Sequence, residues 1–329
     1  MSQCNLHKFR SLTIQRHTEY NSYVSVEHLE FFRSGQAKPD WLKVKAPGSQ
    51  NYLRLHKLLN DLNLHTVCEE AHCPNIGECW NHGTATFMIL GDICTRACAY
   101  CAVTHGRPVS MDLDEPSRVA SAIAAMKLRH AVITSVDRDD LSDGGASIFA
   151  ETIRQTRTHV PKCRIEVLIP DFQGIEASLR TVLNARPNVL NHNIETVPRL
   201  YRMVRSGGQY VRSLELLGRS RSYAPQIPTK TGIMVGLGET LDEVIEVFDD
   251  LRQYGVSILT IGQYLPPSRN HAPLSKYYHP DEFAKLKQLA LERNFVHVES
   301  GPLVRSSYHA HEQADAYESL KISETITPH

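Results

Sequence analysis

Between residues 86 and 262, short runs of β-branched and apolar residues alternate with longer stretches whose apolar positions recur every three or four residues. That alternation predicts parallel strands joined by crossover helices. The strand-like runs fall at residues 86–90, 131–135, 165–169, 188–192, 232–235 and 258–262. Six such units predict an α/β fold, a partial (β/α)6 TIM-like barrel that stays open. One helix is legible residue by residue. Thr240 and Glu243 have capping-box spacing, Val244, Val247, Phe248 and Leu251 form an apolar stripe, and Gly255 ends the run. Upstream, residues 51–63 read as a helix with Tyr52, Leu55, Leu58, Leu59 and Leu62 on one side. Residues 1–50 show no clear period and contain Gly35, Pro39, Pro47 and Gly48, as expected of an extension wrapped loosely on the barrel. The chain thus divides into an N-terminal extension (1–50), a helix with a cysteine segment (51–82), the barrel (83–300) and a short C-terminal segment (301–329).

Barrels of this kind carry their chemistry on the loops after the strand C-termini. The unusual residues sit in those places: a cysteine loop after Leu90, Val136 to Asp140 after Ser135, and Asn193 to Glu195 after the fourth strand. Gly236 to Glu239 follow the fifth and Gln263 with Tyr264 the sixth. Each alone is ordinary turn chemistry. Together they mark one rim as a site.

Composition narrows the partners. The 329 residues exceed the roughly 250 of one barrel domain, which suits a single large domain with extensions. Lys and Arg number 36 against 36 Asp and Glu, with no basic stripe to track phosphates, so nucleic acid is not expected as a partner. No run approaches the roughly 18 apolar residues of a membrane span, so no membrane is expected either. The first 20 residues hold Lys8, Arg10 and Arg16 but no apolar block, so secretion is not signalled, the cysteines are expected to stay reduced, and the chain is expected in the cytoplasm. The absence of an acid before Glu19 leaves an organelle transit peptide open.

Cysteine placement says more. Six of the eight, Cys68, Cys73, Cys79, Cys94, Cys98 and Cys101, fall within 34 residues. In CTRACAYC a three-residue gap followed by a two-residue gap lets one tight loop aim three thiolates at three corners of a cubane, leaving the fourth iron open to bind substrate. Structural zinc prefers paired Cys-x2-Cys knuckles, and this segment has one such pair, Cys98 and Cys101. Cys4 and Cys163 read as small buried hydrophobes.

With aromatic Tyr100 just before its last cysteine, CTRACAYC resembles the radical S-adenosylmethionine (SAM) superfamily. The resemblance implies a 4Fe-4S cluster whose open iron is chelated by the amino and carboxylate groups of SAM. An electron from the cluster then cleaves the sulfonium and yields a 5′-deoxyadenosyl radical. Tyr100 would lie near the adenine. If Cys68, Cys73 and Cys79 hold a second four-iron cluster, one of its corners lacks a ligand. Cys163 is one candidate, but it sits at the N-terminal end of a predicted strand, on the far rim, so an oxygen or nitrogen ligand is also open.

At larger scale, CEEAHCPNIGEC, NHGTATFMILGDICTRACAYC, HGRPV, SVDRDDLSDGGA, NHNIETVPRLY, GIMVGLGET, LTIGQYLPPSRNHAP and RSSYHA together resemble the lipoyl synthase family, from about Lys38 to Ala310. The resemblance implies insertion of two sulfurs, at C6 and C8, into an octanoyl chain on a lysine of a lipoyl carrier domain, one SAM per insertion. By it, Cys94, Cys98 and Cys101 hold the SAM cluster, while Cys68, Cys73, Cys79 and Ser307 hold an auxiliary cluster that donates sulfur. It also implies Asn193, Glu195, Gly144 and Gly145 as SAM contacts. The implied partners are the carrier domains of 2-oxoacid dehydrogenase complexes, the glycine cleavage H protein, and a low-potential electron donor such as flavodoxin or ferredoxin. A hard alkoxide matches iron among sulfides less well than thiolate does, which makes the Ser307 corner the easiest to open. The chain departs from the family pattern at Ala102, Ser142 and Ser206, none of them a ligand position. Two alternatives are set aside. A methylthiotransferase acting on tRNA or a ribosomal protein usually carries its extra cysteines in an N-terminal domain and ends in a nucleic-acid module. A non-catalytic iron–sulfur scaffold would need closed clusters.

Overall fold

The computed structural model describes residues 37–44, 48–70, 73 and 75–326. Most of the expected N-terminal extension, together with Cys4, lies outside the described residues. Among them, eight strands form one sheet in chain order: β1 (His65–Thr66), β2 (Thr84–Ile89), β3 (His130–Ser135), β4 (Arg164–Leu168), β5 (Val189–Asn191), β6 (Thr229–Val235), β7 (Ile258–Gln263) and β8 (His297–Gly301). β1 runs antiparallel to β2 and every later pair is parallel. The sheet has two edges, β1 and β8, so the barrel is open.

All six expected strands occur at or within a few residues of their expected places. The structure adds β1 and β8. Neither has a hydrophobic run: β1 is two residues long, and HVESG of β8 buries only Val298 as an apolar side chain. Pairing with β7, not composition, makes β8 a strand.

The helices are α1 (Gln50–Asp61), α2 (Val67–Glu70), α3 (Ile76–Asn81), α4 (Glu115–Met126), α5 (Ala146–His159), α6 (Glu176–Asn184), α7 (Tyr201–Val204), α8 (Tyr210–Tyr223), α9 (Leu241–Gln253), α10 (Pro280–Leu291) and α11 (Ala310–Ile326). In α9 the Thr240 hydroxyl accepts from the Glu243 amide at 3.2 Å and the Glu243 carboxylate accepts from the Thr240 amide at 2.8 Å. That satisfies two orphan donors at the helix start, worth about 1 kcal/mol. Val244, Val247, Phe248 and Leu251 are buried against the sheet, each contributing about 1.5–3 kcal/mol. Gly255 (φ 75°) turns the chain out of the helix.

Both faces of the parallel strands are covered, so β2 buries every residue. Deep in the core, Lys230 of β6 lies 2.9 Å from Glu166 of β4, and the Asn191 amide donates to the same carboxylate at 2.9 Å. His130 stands 3.6 Å from it. The last helix, α11, packs beside the starts of the first parallel strands: His311 meets Thr84 at 3.5 Å, and Asp315 pairs with Arg164. The segment joining β8 to α11 therefore reaches the open side of the sheet, next to β2.

Candidate functional site

Two separate cavities collect the two cysteine triples. The first lies at the C-terminal ends of β3, β4 and β5, as the strand order predicts. Its volume is about 160 Å3, and its wall includes Cys94, Cys98, Cys101, Tyr100, His105, Asp137, Asn193, Glu195 and Arg205. The chain leaves β2 through Leu90 (φ 70°) and Gly91 (φ 86°). The base of the cysteine loop is then closed by its own backbone: the Cys94 amide donates to Thr104 and the Gly106 amide to Cys94, each at 2.8 Å. A turn from the Cys101 amide to the Cys98 carbonyl, 3.1 Å, brings the last two cysteines together.

Arg96 fixes this loop to the strand ends. Its guanidinium donates to Asp139 at 2.6 and 2.8 Å and to Asp171 at 2.7 Å, and Asp171 also receives Arg212 at 3.1 Å. Burial works against the charge on Arg96, but Asp139 and Asp171 more than offset it, so its pKa rises. Breaking such a buried network by removing one partner costs about 3–5 kcal/mol.

The far wall is made by Asn193 and Glu195. Glu195 has φ 66° and is stitched to β6, its amide donating to Gly232 at 3.0 Å and its carbonyl accepting from Met234 at 2.9 Å. Gly232 is needed here, because a Cβ there would stand 2.9 Å from Asn193 Oδ1. Burial raises the Glu195 pKa, with Arg205, Asn193 and Tyr100 pulling it back down. Arg205 donates to the Asn193 carbonyl at 2.8 Å and to the Tyr201 hydroxyl at 3.0 Å. Asn193 Oδ1 is buried with no hydrogen-bond partner. An acceptor orphaned beside a cavity fits a ligand that donates to it.

The second cavity lies between β2 and the segment after β8. It is lined by Cys68, Cys73, Cys79, Asn75, Thr84, Thr86, Arg305, Ser307 and Tyr308. Cys68 is on α2 and Cys79 on α3, and the Cys73 amide donates to the Cys68 carbonyl at 2.9 Å. The helix α1 backs this segment: Tyr52 stacks on Trp80 of α3 with ring centres 5.3 Å apart. Two contacts dock the C-terminal segment. Asn75 donates to the Leu303 carbonyl at 2.7 Å, and the Tyr308 hydroxyl meets both Glu78 carboxylate oxygens at 3.3 Å. Ser306 does not line the cavity, whereas Ser307 does.

Burial pushes the thiol pKa values up, to about 12 for Cys68 and Cys98 and about 11 for Cys101. At Cys73 burial again raises the value, while the Asn75 amide and Arg305 lower it. Such thiols are protonated at neutral pH, so any metal they take must displace protons. Among the described residues no group of three or more His, Cys, Asp or Glu could hold a single metal ion. The donor sets instead suit cubanes, whose irons stand at separate corners.

Other expected positions fall outside both cavities. Gly144 (φ 61°) and Gly145 (φ 86°) lead into α5, and a Cβ on Gly145 would come within 2.2 Å of Leu90 Cδ1, so packing alone accounts for that glycine. Glu239 accepts from the Gly236 and Leu237 amides at 2.6 and 2.9 Å and shapes its own turn. Cys163 is buried just before β4 and lines neither cavity. Sequence reasoning missed Arg96, Asp171, Arg205, Glu78 and Arg305. Arg305 stood inside the RSSY motif, where its charge was the available signal.

Residues 88–251 match the radical SAM superfamily. Streptococcus suis SuiB bound to S-adenosylmethionine has a similar fold, with a TM-score of 0.50 and 10% identity over 73% of this chain and 57% of that one. The chain is a radical SAM enzyme, of a class that works with a 4Fe-4S cluster and SAM. Residues 5–73 match the N-terminal domain of lipoyl synthase of the radical SAM family. Lipoyl synthase of Koribacter versatilis is 60% identical over 284 residues, covering 86% of this chain and 93% of that one. That of Rubrobacter xylanophilus is 58% identical over 283 residues, covering 86% and 88%. The chain belongs to the lipoyl synthase family.

Proposed function

We propose that the chain inserts two sulfur atoms, at C6 and C8, into an octanoyl group carried on a lysine of a lipoyl carrier domain. In this reading Cys94, Cys98 and Cys101 hold one 4Fe-4S cluster with SAM, and Cys68, Cys73, Cys79 and Ser307 hold a second. The observation that carries it is the separation of the two triples: each lines its own cavity, and Ser307 lies on the wall of the second beside Cys68, Cys73 and Cys79. When bound, the first cluster and SAM supply a hydrogen-abstracting 5′-deoxyadenosyl radical, and the second supplies sulfide.

The chain's own residues bind and orient. Asn193 Oδ1 offers an acceptor, Glu195 a carboxylate and Arg205 a cation, on a wall suited to the amino, hydroxyl and carboxylate groups of SAM. Tyr100 adds a face for the adenine. Val136, Leu168 and Ile169 give the cavity an apolar side that limits water around a reactive radical. The Arg96 network holds the cysteine loop still while SAM enters and leaves. The carriers proposed are those of 2-oxoacid dehydrogenase complexes and the glycine cleavage H protein. A flavodoxin or ferredoxin in the cytoplasm would deliver the electron.

The test uses two triple variants, reconstituted without oxygen. Replacing Cys68, Cys73 and Cys79 by Ala should leave 5′-deoxyadenosine formation intact and abolish thiolated product on an octanoyl-lysine peptide. Replacing Cys94, Cys98 and Cys101 should abolish 5′-deoxyadenosine while about half the iron is retained. Thiolated product from the first variant would overturn the donor role.

A further inference from the structure

The second cavity contains a cation without a carboxylate. Arg305 is the only charged side chain on its wall among the described residues, beside three thiols and a serine hydroxyl. Its guanidinium bonds are to main-chain carbonyls, Val304 at 2.8 Å and Gln263 at 3.5 Å. Arg96 has Asp139 and Asp171, Arg138 has Asp140, and Arg199 has Glu243, whereas Arg205, on the wall of the other cavity, bonds a main-chain carbonyl, as Arg305 does, and hydroxyls. Withdrawing a guanidinium from water without an anion is unfavourable. The fold nevertheless makes room for it. A Cβ on Gly262 of β7 would stand 2.3 Å from the Val304 carbonyl, so the glycine lets residues 304 and 305 lie directly on the strand end. Carbonyl acceptors then hold the cation at the cavity wall without neutralising it.

What would neutralise it is the cavity's occupant. Three thiolates and an alkoxide outweigh the charge of a 4Fe-4S core, so the filled site is an anion. We propose that Arg305 is the counter-charge of the second cluster, setting how tightly the chain holds it and how readily it is reduced. The inference rests on the two-cluster reading above. Removing the positive charge should loosen the cluster and make it harder to reduce, since both holding an anionic cluster and adding an electron to it are opposed by uncompensated negative charge.

The experiment uses the full chain with Cys94, Cys98 and Cys101 replaced by Ala, so that only the second cluster remains. Into it go Arg305→Met, which keeps the length and loses the charge, and Arg305→Lys, which keeps the charge. Iron loss to a chelator and the reduction midpoint from an anaerobic dithionite titration are measured on each. The Met variant should lose iron about tenfold faster and show a more negative midpoint, and the Lys variant should recover most of both. Equal behaviour of all three proteins would overturn the proposal. So would equal impairment of Met and Lys, because shape and not charge would then matter. If the parent protein holds no four-iron cluster, the two-cluster reading itself falls and the inference with it, an outcome that the iron content distinguishes from the other two.

Discussion

Ser307 and Ser306 are adjacent, chemically identical, and unequal in position. Only Ser307 lines the cavity of Cys68, Cys73 and Cys79, while the Tyr308 hydroxyl meets Glu78 at 3.3 Å beside it. If Ser307 closes the second cluster, Ser307→Ala should keep three-quarters of the ligand set, retain most iron, and lose sulfur insertion. Ser307→Cys should hold iron at least as well as the parent and still turn over poorly, because thiolate releases iron less readily than alkoxide. Iron analysis together with product mass spectrometry checks both. A larger loss from Ser306→Ala than from Ser307→Ala would reverse the assignment. The six cysteines were legible from spacing alone, since six of eight in 34 residues has no packing explanation. Arg96, Asp171 and Arg205 were not legible, because single charged residues in loops look alike until a fold brings them together.

At the scale of elements, two short helices and one loop do the positioning. α3 carries Cys79 and, one residue earlier, Glu78, which receives Tyr308 and lies 3.4 Å from His309, itself stacked on Tyr308 at 3.9 Å. Glu78 thereby ties the segment bearing Ser307 to the helix bearing a cysteine. Glu78→Ala should cost about 1 kcal/mol locally. Hydrogen exchange across residues 303–310 should then rise roughly fivefold, with the barrel strands unchanged. Unchanged exchange there would show that the remaining bonds, Asn75 to Leu303 and Gln313 to the Tyr308 carbonyl among them, hold the segment without Glu78. The same scale shows where periodicity failed. α9 was readable because its cap, stripe and terminal glycine all agree, whereas β8 has no pattern of its own and exists through pairing with β7.

Across the whole molecule, buried ionisable groups set the response to acid. His192 is fully buried, and its pKa falls to about 3, chiefly through burial and then through the charge of Arg205. The unfolded chain takes up a proton on this histidine below its ordinary value of about 6.5, and the folded chain does not. Stability should therefore decline as pH drops from about 6.5 toward 3. Glu166 is shifted the same way, to about 2: burial raises its pKa, but Lys230 and His130 lower it further. Its contribution is complete above the unfolded value of about 4.3 and is lost as pH falls toward 2. Urea unfolding between pH 7 and 5 separates the two, because, of this pair, His192 alone acts in that window. A His192→Asn variant should flatten the decline, and an equally steep decline would remove His192 as its cause.

What the sequence determined by itself was the period of the strands and helices, the inward stripes, and the two cysteine triples with their different spacings. These are local, carried by neighbours a few residues apart. Only the tertiary structure decided which distant residues share a cavity with each triple. Ser307 and Arg305 lie more than 200 positions from Cys68, Cys73 and Cys79, and they reach that cavity because the open sheet brings the segment after β8 beside β2. Asn193 and Glu195 likewise face Cys98 and Cys101 only because parallel strands end together at one rim. Gly144 and Gly145 show the converse. Suggestive in sequence, they lie off the cavity wall, where a tight turn and the Leu90 side chain leave no space for a Cβ at Gly145.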